Sequence, residues 1–308
     1  MKKNTKWYII SKLINKFAFL CYNVSVQGSD TMIQKSYEQS EFGKLYLVPT
    51  PIGNLEDITL RGINTLKMCD IVYAEDTRET LNLFKKLDIS KKVESCHKYT
   101  EMTHKDKIIN LLKSGKNIAY VTDRGTPLIS DPGNVIVDEV IKENISVIAL
   151  PGASALLPAI NMSGISNNKF LFYGFLNSKV SLAKKELIEL KEIKQTIIFY
   201  EAPHRIKETL DLLLDILGDR KIAIVREISK IYEEVIRDNI SEVIKICDGI
   251  KGEMVIVVEG AREQEKDIDY SAEINNLLGK GYTKRDAIKE VADKYNISKN
   301  KLYNKFND

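Results

Sequence analysis

The sequence predicts an α/β protein with two domains and a small helical module after them. From residue 44 onward, short apolar runs alternate with amphipathic helical patterns, which is typical of βαβ units. Gly/Pro-rich loops follow several of the apolar runs, at the strand ends where open α/β sheets bind ligands. The length of 308 residues is long for one domain and comfortable for two.

The first predicted domain, residues 44–164, alternates strands with helices. Each strand is a short apolar run, and the helices carry apolar residues three or four positions apart. Strands are predicted at residues 44–48, 70–74, 92–96, near 117 and at 147–150. Helices are predicted at residues 59–68, around 81–87, at 102–113, up to about 142 and at 155–162. This alternation predicts parallel strand pairing.

The rhythm changes after residues 164–168, which marks the predicted boundary of a second α/β domain, residues 165–260. Its strands are predicted at residues 170–173, 196–200, 222–226 and 254–259, with a possible further strand at 233–238. Its charged helices are predicted at residues 182–191, 204–217 and 240–247. The order of elements is more mixed than in the first domain.

A charged linker at residues 260–269 leads to a helical tail, residues 270–308. Three short helices are predicted there, at residues 272–278, 283–295 and 298–306. Thr283 and Ser298 are of the residue types that cap helix N-termini. Apolar positions in all three helices would form a small core, and the arrangement resembles a helix-turn-helix module.

The charge of the chain is uneven. Residues 1–40 carry a net charge of +4 and residues 271–308 carry +3, so the middle of this +3 chain carries −4. A basic balance favours nucleic acid as a partner, but here it does so weakly and only through the two ends.

Residues 1–43 are predicted to be an extension that is either disordered or the product of a misassigned start. Met32, just ahead of the first strand, is a plausible true start. Lys12 and Lys16 interrupt its apolar run, which argues against a signal peptide or a membrane span. A surface helix is the alternative. We expect a cytoplasmic protein that does not enter the membrane.

The loop at residues 123–133 organises the first domain. It contains two glycines and two prolines between an apolar run and a helical pattern, so its backbone can approach a ligand closely. Asp131 and Pro132 suit the N-cap and first position of the next helix, whose free N–H groups could hold an anion. Similar loops lie at residues 49–54, 74–78 and 151–154, and we expect the fold to bring them together.

Three charged residues, Glu75, Asp76 and Arg78, follow the second predicted strand. This is a candidate acid/base constellation. The alternative is a solvated loop in which Asp76 caps the next helix.

The motifs that are missing exclude several common sites. The four cysteines are far apart and the three histidines show no metal-ligand spacing, so no zinc site, metal centre or disulfide framework is predicted. The sequence also lacks a Walker loop and a GxGxxG motif after its first strand.

Several motifs resemble the ribosomal RNA small subunit methyltransferase I family, a branch of the tetrapyrrole methylase superfamily. They lie at residues 45–60, 74–78, 123–133, 151–155, 199–205 and 252–260, and the resemblance covers about residues 44–306. It implies two α/β domains with S-adenosylmethionine in the cleft between them, and a homodimer. It also implies 2′-O-methylation of a cytidine ribose in the 16S rRNA of the small ribosomal subunit.

The resemblance also implies roles for individual residues. Glu75 matches the position of a proposed base. From the chemistry of methyl transfer to a hydroxyl, we expect Asp76 to support this base and Arg78 to hold a neighbouring phosphate. The residues expected to bind the cofactor are Pro51, Asp123, Gly125, Thr126, Ile129, Ser130, Ser154, Ala155 and Tyr200. Arg124 departs from the family, which usually has a small residue there.

Two other functions stay open at this point. One is a small-molecule methyltransferase that acts on a tetrapyrrole. The other is a non-catalytic RNA-binding factor in ribosome assembly. The tail either docks RNA or packs on the dimer.

Overall fold

The computed structural model describes residues 33–38, 40–97, 100–262, 269–295, 297–300 and 302–303. Most of the predicted extension at residues 1–43 therefore lies outside the described residues, as do parts of the predicted linker and of the third tail helix. The fold divides into two compact units. Residues up to Ala159, together with Arg226–Glu234, form the first unit, and Ile160–Val225 with the residues from Val235 onward form the second.

The first unit is built on a five-stranded parallel sheet. Its strands are β1 (Leu45–Leu47), β2 (Ile71–Ala74), β3 (Lys92–Ser95), β4 (Ile118–Val121) and β5 (Val147–Ala149). Its helices are α1 (Leu60–Met68), α2 (Thr77–Lys86), α3 (Glu101–Lys113), α4 (Asn134–Lys142) and α5 (Leu156–Ser163), which runs on into the second unit. The strand order is β3-β2-β4-β1-β5, and each neighbouring pair is parallel.

Helices cover both faces of this sheet because its strands are apolar on both sides. In β4, Ile118 and Tyr120 join the core that contains Ile108 of α3 and Ile136 of α4. The alternate residues of the same strand join a second core, which contains Leu66 of α1 and Phe84 of α2. The alternating pattern predicted the parallel pairing, and burial on both faces is typical of parallel sheets.

The second unit contains a mixed five-stranded sheet. Its strands are β6 (Phe170–Phe175), β7 (Thr196–Glu201), β8 (Lys221–Arg226), β9 (Glu234–Asn239) and β10 (Met254–Val258), in the order β6-β7-β10-β8-β9. The pair β6–β7 is parallel, whereas β10 and β7 are antiparallel. The helices α6 (Val180–Leu190), α7 (Ile206–Leu217) and α8 (Ile240–Ile246) contribute to its core. The possible strand at residues 233–238 is thus confirmed.

The tail contains α9 (Tyr270–Gly279) and α10 (Lys284–Tyr295). Ile274, Ile288, Val291 and Leu302 are among the residues of a separate small core. The Thr283 hydroxyl accepts a hydrogen bond from the Asp286 N–H, at 3.2 Å, as expected of an N-cap. Within the described ranges, no helix combines the length and apolar character needed to cross a bilayer.

Candidate active site

The site is built at the carboxyl ends of the strands of the first unit. Leu47, the last residue of β1, lies opposite Tyr120 of β4 and Ala149 of β5, while Ala74 lies opposite Val121. The strands therefore end at nearly the same level. Because they are parallel, the loops that follow them meet at one edge of the sheet.

Backbone pairing joins the loop after β1 to the loop after β4. Thr50 donates to the Gly125 carbonyl at 2.9 Å, and Gly125 donates back to the Thr50 carbonyl at the same distance. The buried Thr50 hydroxyl also donates to the carbonyl of Thr122, at 3.1 Å. Pro51 and Gly125 are thus held beside each other through Thr50.

The loop after β5 is attached to the same two loops. The Thr126 hydroxyl donates to the Ala153 carbonyl at 2.9 Å. A Cβ built on Gly152 would lie 2.7 Å from the Cβ of Pro49, closer than two carbon atoms can pack. The predicted meeting of these three loops is confirmed, and glycine is required at Gly152 by the closeness of Pro49.

Four backbone positions in the loop at residues 123–133 are left-handed: Gly125, Leu128, Ser130 and Gly133, with φ between 69° and 126°. Such angles are strained for residues other than glycine, and strain of this kind clusters at functional sites. The loop is still turning at Gly133, which is the N-cap of α4. The prediction that Asp131 and Pro132 begin this helix is therefore wrong.

The Asp131 carboxyl instead belongs to an acidic group at the strand ends. Burial raises the pKa of Asp131, a hydrogen bond with Thr122 opposes this shift, and the charge of Asp123 adds to it. The sequence did not reveal this role of Asp131, because an Asp-Pro-Gly run is also typical of a helix start.

Glu75 lies in the same acidic group. Burial raises the pKa of the Glu75 carboxyl above its ordinary value. The charges of Asp123 and Asp131 raise this pKa further, while His97 lowers it. A half-buried carboxylate with a raised pKa is a better proton acceptor near neutral pH than an ordinary glutamate.

Asp76 and Arg78 form a pair beside Glu75. The Arg78 guanidinium donates from Nε and Nη2 to the two Asp76 oxygens, at 3.1 and 2.6 Å. This pairing lowers the pKa of Asp76 to about 2. The Asp76 carboxylate also accepts from the Arg78 N–H as the N-cap of α2, so the alternative capping role is confirmed. Since its lone pairs serve these contacts, Asp76 is less suited than Glu75 to accept a proton.

Asp123 connects the ends of β2 and β4. Its Oδ1 accepts a hydrogen bond from the Asp76 N–H, at 2.9 Å. This contact fixes the backbone directly after Glu75. It is compatible with the predicted cofactor contact of Asp123, which stays a prediction.

The other predicted cofactor residues are distributed over both units. Ile129 and Ser130 are exposed on the loop after β4, while Ser154 and Ala155 lie just ahead of α5. Tyr200 lies in the second unit, near the end of β7, with its ring 4.9 Å from that of Phe172 and 5.6 Å from that of Phe175. The exposed residue Arg124 follows Asp123.

A distant segment, Arg226–Glu234, also belongs to the first unit. The Ser229 hydroxyl hydrogen-bonds to Asp57. The Lys230 side chain lies so close to Gly53 that a Cβ there would come within 2.4 Å of it. Sequence reasoning missed these contacts because the partners are about 170 residues apart and no local pattern connects them.

No group of three or more His, Cys, Asp or Glu side chains in the described part of the chain is arranged to hold a metal ion. The groups that the strand-end loops bring together are backbone N–H and carbonyl groups, hydroxyls and carboxylates. These groups can bind a polar organic molecule and accept a proton.

Residues 44–244 match the family described as Tetrapyrrole (Corrin/Porphyrin) Methylases. The chain is 48% identical over 278 residues to ribosomal RNA small subunit methyltransferase I of Bacillus subtilis, covering 87% of this chain and 95% of the relative. It is 38% identical to the protein of that name from Vibrio cholerae, covering 84% and 92%.

Solved structures share the fold at low sequence identity. A diphthine synthase superposes with a TM-score of 0.55 at 16% identity, covering 70% of this chain and 90% of that one. The methyltransferase CobJ gives a TM-score of 0.55 at 14% identity, with coverages of 71% and 95%. The chain therefore belongs to the tetrapyrrole methylase family, in the branch whose curated members are named ribosomal RNA small subunit methyltransferase I.

Proposed function

We propose that this protein is an S-adenosylmethionine-dependent methyltransferase that methylates the 2′-hydroxyl of a cytidine ribose in the 16S rRNA of the small ribosomal subunit. The observation that carries the proposal is Glu75, a carboxyl with a raised pKa where the strand-end loops of the first unit meet. The names of the relatives support the RNA substrate. We also propose that the protein acts as a homodimer.

The residues of the first unit fit S-adenosylmethionine by their chemistry. Ile129, with 38% of its surface exposed, and Ala155 offer apolar contacts to an adenine ring. Ser130 and Ser154 offer hydroxyls, and the carboxylates of Asp123 and Asp131 favour a nearby cation. Glycine at position 125, with φ of 82°, lets the backbone approach a ligand closely. Pro51 and Thr126 complete the proposed set in this unit.

When bound, the cofactor supplies an electrophilic methyl group. The protein must then align the ribose and remove its hydroxyl proton. We assign the second task to Glu75. Because its pKa is raised, the carboxylate binds the transferred proton more strongly than an ordinary glutamate does. Activity requires the ionised form, so it falls as the pH drops through this raised pKa.

Asp76 and Arg78 assist from the neighbouring turn. The Arg78 side chain is 86% exposed, and its contacts with Asp76 use two of its five N–H donors. A guanidinium held in this way can also meet an RNA phosphate. Asp76 thus acts as the group that orients Arg78.

The helical tail offers a second contact with RNA. Residues 271–308 carry a net charge of +3, and Arg285 and Lys289 are exposed on α10. The buried side of α9 and α10 belongs to its own small core, which leaves these cations on the outer surface. We propose that they contact phosphates of the ribosomal subunit.

Methylation of a tetrapyrrole is the second candidate, because the matching family is described by that substrate class. A methyl-transfer assay separates the two. Small ribosomal subunits lacking the mark, and a tetrapyrrole, are each incubated with protein and tritiated S-adenosylmethionine. Label in the 16S rRNA, mapped to a cytidine ribose, supports the proposal, whereas label only in the tetrapyrrole refutes it. A non-catalytic assembly factor would bind the subunit and transfer no label.

The role of Glu75 is tested by the Glu75→Gln variant in single-turnover methyl transfer. Loss of a general base lowers the rate by about 100-fold to 10,000-fold, while cofactor binding should change little. Glu56→Gln is the matched control, because Glu56 is an exposed glutamate in a short 3-10 helix, Leu55–Asp57, between β1 and α1. Full single-turnover activity in Glu75→Gln would exclude Glu75 as the base.

A further inference from the structure

Glu101 is a buried acid that the proposed chemistry does not use. It lies in the first turn of α3 and is only 5% exposed. Its Oε1 accepts a hydrogen bond from the Gly133 N–H, at 2.6 Å. The carboxylate of one helix thereby holds the residue from which the next helix, α4, begins.

The contact with Glu101 supports a helix start that has no side-chain cap hydrogen bond of its own. As the N-cap residue, glycine has no side chain that could bond to the helix. Its φ of 126° is a left-handed value. A Cβ at this position would lie 3.1 Å from the Tyr120 ring and 3.2 Å from Leu128, so the backbone is packed closely as well as turned.

The contact closes one end of the strained loop. At its beginning, the loop is held by the backbone pairing of Gly125 with Thr50. At its end, it is held by the bond from Gly133 to Glu101. Leu128 and Ser130 adopt left-handed angles between these two points, and strained residues keep such angles only when their surroundings hold them there.

A carboxylate suits this position for two reasons. A hydrogen bond to an ionised acceptor is stronger than one between neutral groups. In addition, the N-terminal turn of α3 carries partial positive charge, which favours an acid there. An acidic residue is therefore well suited to position 101.

We propose that Glu101 is a positioning residue that acts through Gly133 to hold residues 125–130 in the shape that binds the cofactor. It does not touch the reacting atoms. This inference rests on the proposed function, because it assigns that loop to S-adenosylmethionine.

The test compares Glu101→Ala with Glu101→Gln by calorimetric titration of S-adenosylmethionine, with thermal unfolding and amide hydrogen exchange in parallel. Loss of one buried, charge-assisted hydrogen bond should raise the Kd of Glu101→Ala by about 10-fold or more. Glu101→Gln keeps an acceptor oxygen but loses the charge, so its Kd should lie between that of the original protein and that of Glu101→Ala. Exchange at residues 123–133 should speed up in the alanine variant with or without ligand.

Ile108→Val is the matched control for stability, because Ile108 is fully buried on the same helix and does not reach the loop through a hydrogen bond. It should lower the Tm and leave the Kd unchanged. An unchanged Kd in Glu101→Ala would overturn the inference. So would a glutamine variant as weak as alanine, or an equal rise in Kd in Ile108→Val.

The proposed function and the positioning role of Glu101 can be refuted separately. If the original protein does not bind S-adenosylmethionine, the proposed function fails. The hydrogen-exchange comparison still decides whether Glu101 holds the loop, because it needs no ligand. Unchanged exchange at residues 123–133 in Glu101→Ala would overturn the positioning role itself.

Discussion

A single methyl group added at Gly152 tests whether close packing between two loops shapes the candidate site. In Gly152→Ala, the new Cβ would lie 2.7 Å from Pro49 Cβ and 2.9 Å from Pro49 Cγ. Carbon atoms that are not bonded pack at about 3.5–4.0 Å. One of the two loops must therefore move by about 1 Å.

The free-energy cost of the added methyl group depends on how far the two loops can shift. Pro49 is buried and rigid, and the next residue, Thr50, is hydrogen-bonded to Gly125 in both directions. Gly152 precedes Ala153, whose carbonyl accepts from Thr126. Overpacking at such a place costs about 1–3 kcal/mol. If the same distortion disturbs the cofactor loops, each 1.4 kcal/mol weakens binding by about 10-fold.

The assay is calorimetric titration with S-adenosylmethionine, with the Tm of each variant measured alongside. Gly279→Ala is the matched control, because it makes the same chemical change at the end of α9 with no atom within 4 Å of the new Cβ. The control should be neutral or stabilise the protein by about 0.5–1 kcal/mol. If Gly152→Ala has the same Kd for the cofactor and the same Tm as the control, close packing of these loops has no role in the site.

Two further predictions concern the base and the tail. Asp123→Asn keeps an oxygen that can accept from the Asp76 N–H but removes a charge that raises the pKa of Glu75. The acid limb of the pH profile of methyl transfer should therefore move to lower pH. An acid limb that stays in place or moves to higher pH contradicts the assignment of Glu75 as the base. Arg285→Ala and Lys289→Ala should each weaken binding to the ribosomal subunit and reduce the slope of log K against log salt by about 1. Filter binding across a range of salt concentrations measures both quantities. Unchanged slopes would show that the tail does not contact the RNA.

Much of the fold could be predicted because the relevant patterns are local. The apolar run before residue 122 becomes β4, and the helix predicted at residues 59–68 begins after Thr59, whose hydroxyl accepts from the Gly62 N–H. Each of these elements depends on residues within a few positions of one another.

Predictions failed where a local pattern had two readings. Asp131 and Pro132 suit a helix start, yet α4 begins after Gly133 because the preceding loop needs left-handed turns up to that residue. The helix after β2 begins at Thr77 and not near Leu81. The prediction started too late because the first turn of this helix is polar and shows no apolar spacing. Here the cap residue, Asp76, was the better signal.

Local sequence patterns were enough to predict the order of strands and helices, the family and the loops in which the site should lie. The strand order β3-β2-β4-β1-β5, and with it the set of loops that touch, follows from the folded chain. Folding joined Gly125 to Thr50 and Glu101 to Gly133, and it placed Glu75 among carboxylates that raise its pKa. Helix and strand periodicity arise between neighbours in the chain. Burial, strain and charge at a site depend instead on residues that only folding brings together.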